Sequence, residues 1–347
     1  MKLQNLISKL QQKHPKKIDL TLDRTFNLLK KLGNPQENLE NVISIVGTNA
    51  KYSICQSLKA ILNQADYKCN LYLSPHLQSY TERFVYNNKE ISEEILIDLL
   101  KDIEKKLDDD QATLFEILTC AYLKYCEEFK DNITLIEAGL FHQFDSTNVF
   151  KKNLGSIIGS IGLDHLQWLK NKTIEGIIHE KTVNLLNSNI FVNKQDNLET
   201  LIKIESALKK NKSKKFFFSK DFNILKAENS FIQYEDSEDT IILPEPNVLG
   251  NHQLGNISTS ITVARKLFNI KDEDIKNGIR KIKLKGRLQE IKSGKLKKLV
   301  GSNRLICDGG HNINSSIAIA KWVKDCEKTC PICRAETSDF VRFTGAF

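Results

Sequence analysis

The apolar positions of this chain gather into short, nearly continuous runs separated by longer segments of helical period. Val42, Ile43, Ile45 and Val46 form one run, and residues 70–73, 133–136 and 156–163 form three more. Runs this short and this uniformly apolar predict strands covered on both faces of a parallel sheet. Between them, residues 92–107, 112–129 and 173–186 are expected to be helical, and 256–268 reads as a further amphipathic helix. Alternating strands and helices imply βαβ units, so the expected fold class is α/β with a mostly parallel sheet. Residues 221–243 break the alternation and read as a small antiparallel excursion of short strands. Residues 1–40 read as helical, with 26–32 closing at the stop signal Gly33-Asn34-Pro35.

The polar residues recur at the ends of the apolar runs. Val42 to Val46 leads directly into Gly47-Thr48-Asn49-Ala50-Lys51-Tyr52-Ser53, a phosphate-loop-like turn ahead of the amphipathic segment 54–62. Gly47 opens the turn, Lys51 supplies a cation and Ser53 a hydroxyl, an arrangement that can wrap N–H groups and one ammonium around a phosphate. The strict loop has Gly before the Lys. Here Ala50 stands there, which suits the turn if its φ is negative, and Tyr52 adds bulk beside the phosphates. The other runs end in Ser74-Pro75-His76, in Glu137-Ala138-Gly139 and in Asp164-His165. Ligands of open α/β sheets bind outside the carboxyl ends of the strands, so these ends together predict one phosphate-and-metal site.

Composition narrows the class. A chain of 347 residues with 40% hydrophobic and 27% charged content can bury a sizeable core in two domains. No run approaches the roughly 18 apolar residues of a membrane span, and the first residues lack a signal-peptide core. A soluble cytoplasmic protein with its eight cysteines reduced is expected. The net charge of +8 is dispersed, and its densest cluster, 209–220, reads as a lysine-rich turn beside the strand-like Phe216-Phe217-Phe218. No basic face with interleaved aromatics supports nucleic-acid binding, whereas the balance suits a polyanionic substrate.

Gly47 to Ser53 resembles the Gly-Thr-Asn-Gly-Lys-Gly-Ser loop of the folylpolyglutamate synthase/dihydrofolate synthase family, a branch of the Mur ligase superfamily. Further resemblances follow in family order from about residue 18 to 324. They are Leu73-Ser-Pro-His-Leu77 with Glu82-Arg83, Thr113-Leu114-Phe115-Glu116, Phe144 to Val149, Ile161-Gly-Leu-Asp-His165 and Glu180-Lys181. His252 to Asn256, Gly286 to Gln289 and Cys307-Asp308-Gly-Gly-His311-Asn312 complete the series. The resemblance implies ATP and Mg²⁺ as cofactors. It places ATP on residues 47–53, Asn256, Arg287 and Asp308, and Mg²⁺ on Ser74, Glu137, His165 and Lys181, the last as a carbamate. Thr113, Leu114, Phe115, Glu116 and Asp145 match pterin-pocket positions, although Phe141-His142-Gln143 replaces a glycine-rich link before Asp145. Lys51, Lys181, Arg287 and His311 are the implied catalytic residues. The implied activity joins L-glutamate to dihydropteroate or folates through an acyl phosphate, in a monomer acting on no nucleic acid and no membrane. Two alternatives stand beside it, a Mur-type peptidoglycan ligase and a non-catalytic nucleotide-binding remnant. Ser74-Pro75-His76 and Thr113 to Glu116 speak against the former.

Residues 1–288 are expected to form the ATP-binding domain and 289–347 a partial second α/β domain. Residues 286–301, rich in Lys and Gly, read as a hinge before a strand at 304–307 and a helix at 313–323. Beyond 324 the resemblance gives way to a tail containing Cys326, Cys330 and Cys333, whose spacing resembles an iron–sulfur motif or half a zinc knuckle. A truncated second domain is expected, poorly anchored, with nucleotide affinity surviving better than turnover.

Overall fold

The computed structural model describes residues 2–13, 21–108, 110–226 and 231–329. Two helices open it, α1 (Leu3–Lys13) and α2 (Asp23–Lys31). Their apolar stripes bury Leu6, Ile7, Leu10, Leu28 and Leu29. All five residues of β1 (Val42–Val46) are buried, as a central strand requires. Helix α3 (Lys51–Leu62) returns along the sheet to β2 (Cys69–Tyr72). A hairpin of β3 (Phe84–Tyr86) and β4 (Lys89–Glu90) is then added antiparallel at the β2 edge.

Helices α4 (Glu93–Leu107) and α5 (Leu114–Cys126) precede β5 (Ile133–Glu137), which inserts between β2 and β1. On the other side of β1 come β6 (Gly155–Ile158), α6 (Ile174–Thr182), β7 (Asn189–Val192), α7 (Leu198–Ala207) and β8 (Lys215–Phe217). The eight-stranded sheet has the order β4-β3-β2-β5-β1-β6-β7-β8 and is parallel from β2 to β8. Side chains of β1 alternate between faces. Ile43 and Ile45 join the core beneath α3, while Val42 joins the core of α1, α2, α4 and α5.

The antiparallel excursion is β9 (Phe222–Lys226), β10 (Phe231–Asp236) and β11 (Thr240–Pro244). It buries Ile224, Ile232, Tyr234, Ile241 and Leu243, and the Tyr234 hydroxyl lies 3.0 Å from Thr262 Oγ1 of α8 (His252–Leu267). Helix α9 (Asp272–Arg280) completes this layer. A Cβ at Gly278 would come within 2.6 Å of Ile61 Cα, so glycine there sets the closeness of α9 to α3.

Helix ends differ from the sequence expectation where caps intervene. Thr113 caps α5, so the helix starts at Leu114, and α6 stops at Thr182 although Leu185 continues into the core. Helix α8 starts earlier than residue 256, at His252. The Lys- and Gly-rich segment 286–301 holds β12 (Gln289–Glu290) and a short helix, α10 (Lys295–Leu299). β13 (Ile306–Cys307) pairs antiparallel with β12, and α11 (Ile313–Thr329) follows. From 291 to 326 no described residue is buried, so this part adds no apolar core. Cys330 and Cys333 lie outside the described residues, as do residues 1 and 14–20 of the helical expectation over 1–40.

Candidate active site

The turn after β1 is held from beneath by the end of β6. The N–H groups of Thr48 and Asn49 donate to the Ser160 carbonyl at 2.9 and 3.0 Å, and Thr48 Oγ1 donates to the Gly162 carbonyl at 3.0 Å. The turn runs so close to the strand that a Cβ on Gly159 would lie 2.4 Å from the Asn49 carbonyl. The N–H groups of the first turn of α3 have no intrahelical acceptor and face the opening, as every helix N-terminus provides. Ala50 corrects the sequence expectation. Its φ is +75°, in the left-handed region where a Cβ costs roughly 1–2 kcal/mol, because the turn needs that bend whichever residue occupies it. Ser53 is buried on the same turn of helix.

Lys51 folds back over the turn. Its Nζ donates to the Gly47 carbonyl at 2.9 Å and stands 4.0 Å from Glu137 Oε1. Glu137 ends β5, is 3% exposed, and accepts a hydrogen bond from the Ser74 N–H at 3.1 Å. Burial raises its pKa against the opposing pull of Lys51 and that hydrogen bond. Two strand ends are therefore joined through one underserved carboxylate. His76, two residues on, accepts from Arg83 Nε at 3.0 Å and its ring lies tilted against Tyr80 at 4.1 Å, so it braces its own loop.

Lys181, on α6, reaches the same turn from the other side. It is buried, and its Nζ donates to the Gly47 carbonyl at 3.0 Å. Burial and the nearby Lys51 charge bring its pKa down to about 7. The Phe141 ring, 5.5 Å from Nζ, helps keep water away. Phe141 holds φ +57°, and the neighbouring His142 is buried and kept neutral, with its pKa pushed down to about 4 by burial and by Lys181. His165, by contrast, is 42% exposed; its Nε2 lies 3.9 Å from Asp164 Oδ2, and burial together with Lys181, Lys51 and His311 lowers its pKa. Among the described residues no group of three or more His, Cys, Asp or Glu side chains is gathered as a metal cage.

The linker after α9 closes the cavity side of the turn. Arg287 lies over Tyr52, with the guanidinium carbon 5.5 Å from the ring centroid, and its Nη1 donates to the Gly286 carbonyl at 2.9 Å. Gly286 and Leu288, on either side, have φ of +63° and +42°. Asp308 holds this bend, accepting from the N–H groups of Leu288 and Gly310, both at 2.7 Å. Beyond it, Asn312 and Asn49 exchange amide hydrogen bonds of 3.0 and 3.2 Å, and Asn312 also donates to Asp164 Oδ2 at 3.3 Å. His311, largely exposed, stands 3.7 Å from the same Asp164 oxygen. Tyr52 lines a cavity of about 220 Å³ together with Ser74, Pro75 and Arg287.

No family model matches the chain. A probable dihydrofolate synthetase of Schizosaccharomyces pombe is 29% identical over 314 residues, covering 88% of this chain and 72% of that protein. The E. coli FolC structure in complex with DHPP and ADP superposes with a TM-score of 0.82 at 26% identity, over 94% of this chain and 75% of that one. Over most of its length the chain is similar to dihydrofolate synthases and folylpolyglutamate synthases. A bifunctional folylpolyglutamate synthase/dihydrofolate synthase of Yersinia pestis, complexed with AMPPNP and a Mn ion, matches with a TM-score of 0.81 at 25% identity, over 94% of this chain and 76% of that one. The chain thus spans about three quarters of the length of these relatives.

Other family positions lie further out and are already engaged. Thr113 and Glu116 form a capping box at the start of α5, and Glu116 also receives Arg24 in a two-pronged pair at 3.0 and 3.1 Å. Leu114 and Phe115 pack against the apolar core below. Asp145 is buried and accepts four hydrogen bonds, from the N–H groups of Gly139, Leu140 and Thr147 and from Thr147 Oγ1. It orders the loop around Phe141. Asn256 sits in a buried amide chain, accepting from Asn193 Nδ2 at 2.8 Å and donating to Gln253 at 2.9 Å. The bracing by Phe141, Asn193 and Ser160 had no sequence signal of its own; only Gly159, a glycine inside an apolar run, marked a close backbone approach.

Proposed function

We propose that this chain is an ATP-dependent, ADP-forming ligase that joins the amine of L-glutamate to the carboxylate of dihydropteroate or of a folate. The observation that carries the reading is the meeting of Lys51, Lys181 and Glu137 at one helix N-terminus, in a chain similar to this family. A carboxylate is a poor electrophile, so ATP phosphorylates it; the glutamate amine then attacks the acyl carbon, phosphate leaves, and an amide and ADP remain. The family's activity, with ATP and a divalent cation, is thereby assigned to this chain.

In this reading the α3 N-terminus and Lys51 hold the phosphates, Lys51 exchanging the Gly47 carbonyl for phosphate oxygens. Arg287 faces the transferring phosphoryl, where a guanidinium stabilises spread charge. Asn256, Asp308 and His311 border the nucleotide, and the residues from Thr113 to Glu116 with Asp145 shape the pterin side. Ser53, Ser74 and Glu137 offer hard oxygen donors that fit Mg²⁺, and Glu137 is a buried carboxylate whose charge Lys51 only partly offsets. Bound there, Mg²⁺ supplies neutralisation of phosphate charge. His165 and Lys181 complete the proposed metal set. A lysine with a pKa near 7 holds enough neutral amine for its nitrogen to bond CO₂ and release a proton, giving a carbamate. We assign residues 1–288 to the nucleotide-binding unit and those from 289 onward to a second one. A monomer in the cytoplasm, with no nucleic-acid partner, goes with this reading; among the described residues no helix is long and apolar enough to cross a membrane.

The test is ADP release that requires a pteroate or folate and glutamate together. Lys51→Ala should abolish it while circular dichroism shows the fold retained. Turnover that survives this substitution would place the phosphates elsewhere, and nucleotide binding without joint substrate dependence would favour a non-catalytic role.

A further inference from the structure

Tyr52 stands where the phosphate-loop turn passes into α3, and nothing in the chemistry of that turn calls for an aromatic ring. The ring packs against the apolar core, and its hydroxyl faces the main chain of Lys285. Together with Gln56 and Lys59, one and two turns further along α3, it forms one wall of the cavity beside Ser74. The Arg287 guanidinium closes over the ring at 5.5 Å. One side chain of α3 therefore meets the linker twice, at the main chain of residue 285 and at the guanidinium of 287.

Arg287 sits on main chain that needs such a support. Gly286 and Leu288 both hold positive φ, and the bend is pinned by Asp308 at Leu288 and by the Gly309 N–H donating to the Gly286 carbonyl at 2.9 Å. These bonds fix the Cα of Arg287; its side chain is tethered at one end by the Nη1 bond to the Gly286 carbonyl, and the Tyr52 ring is what sets the plane of the guanidinium. A ring face attracts a guanidinium while leaving its N–H edges directed outward, available to phosphate oxygens. Lysine, glycine or a short apolar residue at position 52 offers no such face.

We propose that Tyr52 is a positioning residue whose ring holds Arg287 over the phosphate turn, coupling α3 to the linker at 282–288. This rests on the reading of that turn as the nucleotide site. A guanidinium displaced by about 1 Å can cost on the order of a hundredfold in rate. The ring therefore matters to turnover more than to nucleotide affinity, which Lys51 and the α3 N-terminus carry.

The full chain is compared with Tyr52→Leu, Tyr52→Phe, Arg287→Ala and the Tyr52→Leu/Arg287→Ala double variant. In protein labelled with ¹⁵N at arginine, the Nε–H signal lost in Arg287→Ala is assigned to Arg287. It should show a ring-current shift that disappears in Tyr52→Leu and persists in Tyr52→Phe. Tyr52→Leu should lower kcat for joint ADP release about tenfold, with KM for ATP changed less than about threefold. Tyr52→Phe should recover most of that loss, and the double variant should be no slower than Arg287→Ala alone. An unshifted Arg287 signal, an undiminished kcat in Tyr52→Leu, or additive losses in the double variant would each overturn the proposal. Failure of the underlying reading has a separate signature. The parent chain would then bind a non-hydrolysable Mg–ATP analogue no better than Lys51→Ala does, and the proposal would fall with it.

Discussion

Ala50 carries a left-handed backbone conformation that a Cβ makes costly, at the residue that caps α3. Replacing it with glycine removes that strain and adds back part of the entropy that glycine loses on folding. The balance should favour Ala50→Gly by roughly 0.5–1 kcal/mol, read as a higher urea midpoint at unchanged slope. A lower midpoint would mean that the Ala50 methyl earns its place by packing, for instance against Gly159. A second single-residue effect belongs to His142, buried with no hydrogen-bond partner at Nδ1. Its folded pKa of about 4 lies below the ordinary imidazole value near 6.5, so between these two the unfolded chain binds the extra proton. Stability contributed by the neutral ring is full above about pH 6.5 and is lost as pH falls toward 4, at up to about 1.4 kcal/mol per pH unit. His142→Leu should flatten that part of the stability profile, and an identical acid slope in the variant would show that other groups set it.

At the scale of elements, helix ends decide where several site residues stand. The Thr113 side chain accepts from the Glu116 N–H at 3.3 Å, and the Glu116 carboxylate accepts from the Thr113 N–H at 2.6 Å. The stretch from Thr113 to Glu116 thus has a structural role that needs no ligand, in addition to its match to the family. Thr113→Ala should cost about 1 kcal/mol in urea unfolding, the usual worth of such a cap. Nucleotide-analogue affinity should not change, because α5 starts away from the phosphate turn; a large loss of affinity in calorimetry would instead tie this cap to the site. The turn between β1 and α3 is the opposite case. It is shaped less by its own residues than by Ser160 and Gly162 beyond β6, which hold its N–H and hydroxyl groups.

For the whole molecule, the arrangement of residues after 288 rests on polar contacts. Asn312 meets Asn49 and Asp164, Asn314 donates to Asp196, Asn251 donates to Asp325, and Asp308 holds Leu288. Ile313 and Ile317 are 66% and 62% exposed, so the first turns of α11 bring no apolar anchor with them. Contacts of this kind are individually weak where water competes. Asn312→Ala should therefore speed proteolytic cleavage within residues 291–329 several-fold while leaving the urea midpoint of the larger unit in place. Equal cleavage rates in the two proteins would show that the other contacts suffice.

Much of this protein was legible in its sequence, because local rules govern it. The uniformly apolar runs dictated buried strands, and the segments of helical period placed α4, α5 and α6 to within a few residues, the Thr113 cap shifting the start of α5. The motifs around Lys51, Ser74 and Lys181 pointed to the family whose members the comparisons find similar. What sequence could not decide were relations between distant segments. The sign of φ at Ala50 follows from the proximity of β6, and the direction of Tyr52 follows from the linker more than 230 residues later in the chain. The low pKa of Lys181 needs its burial and Lys51 beside it, and burial is a property of the assembled layers alone. Periodicity encodes which face of an element is apolar; which neighbour meets that face, and how closely, is settled only when the chain packs.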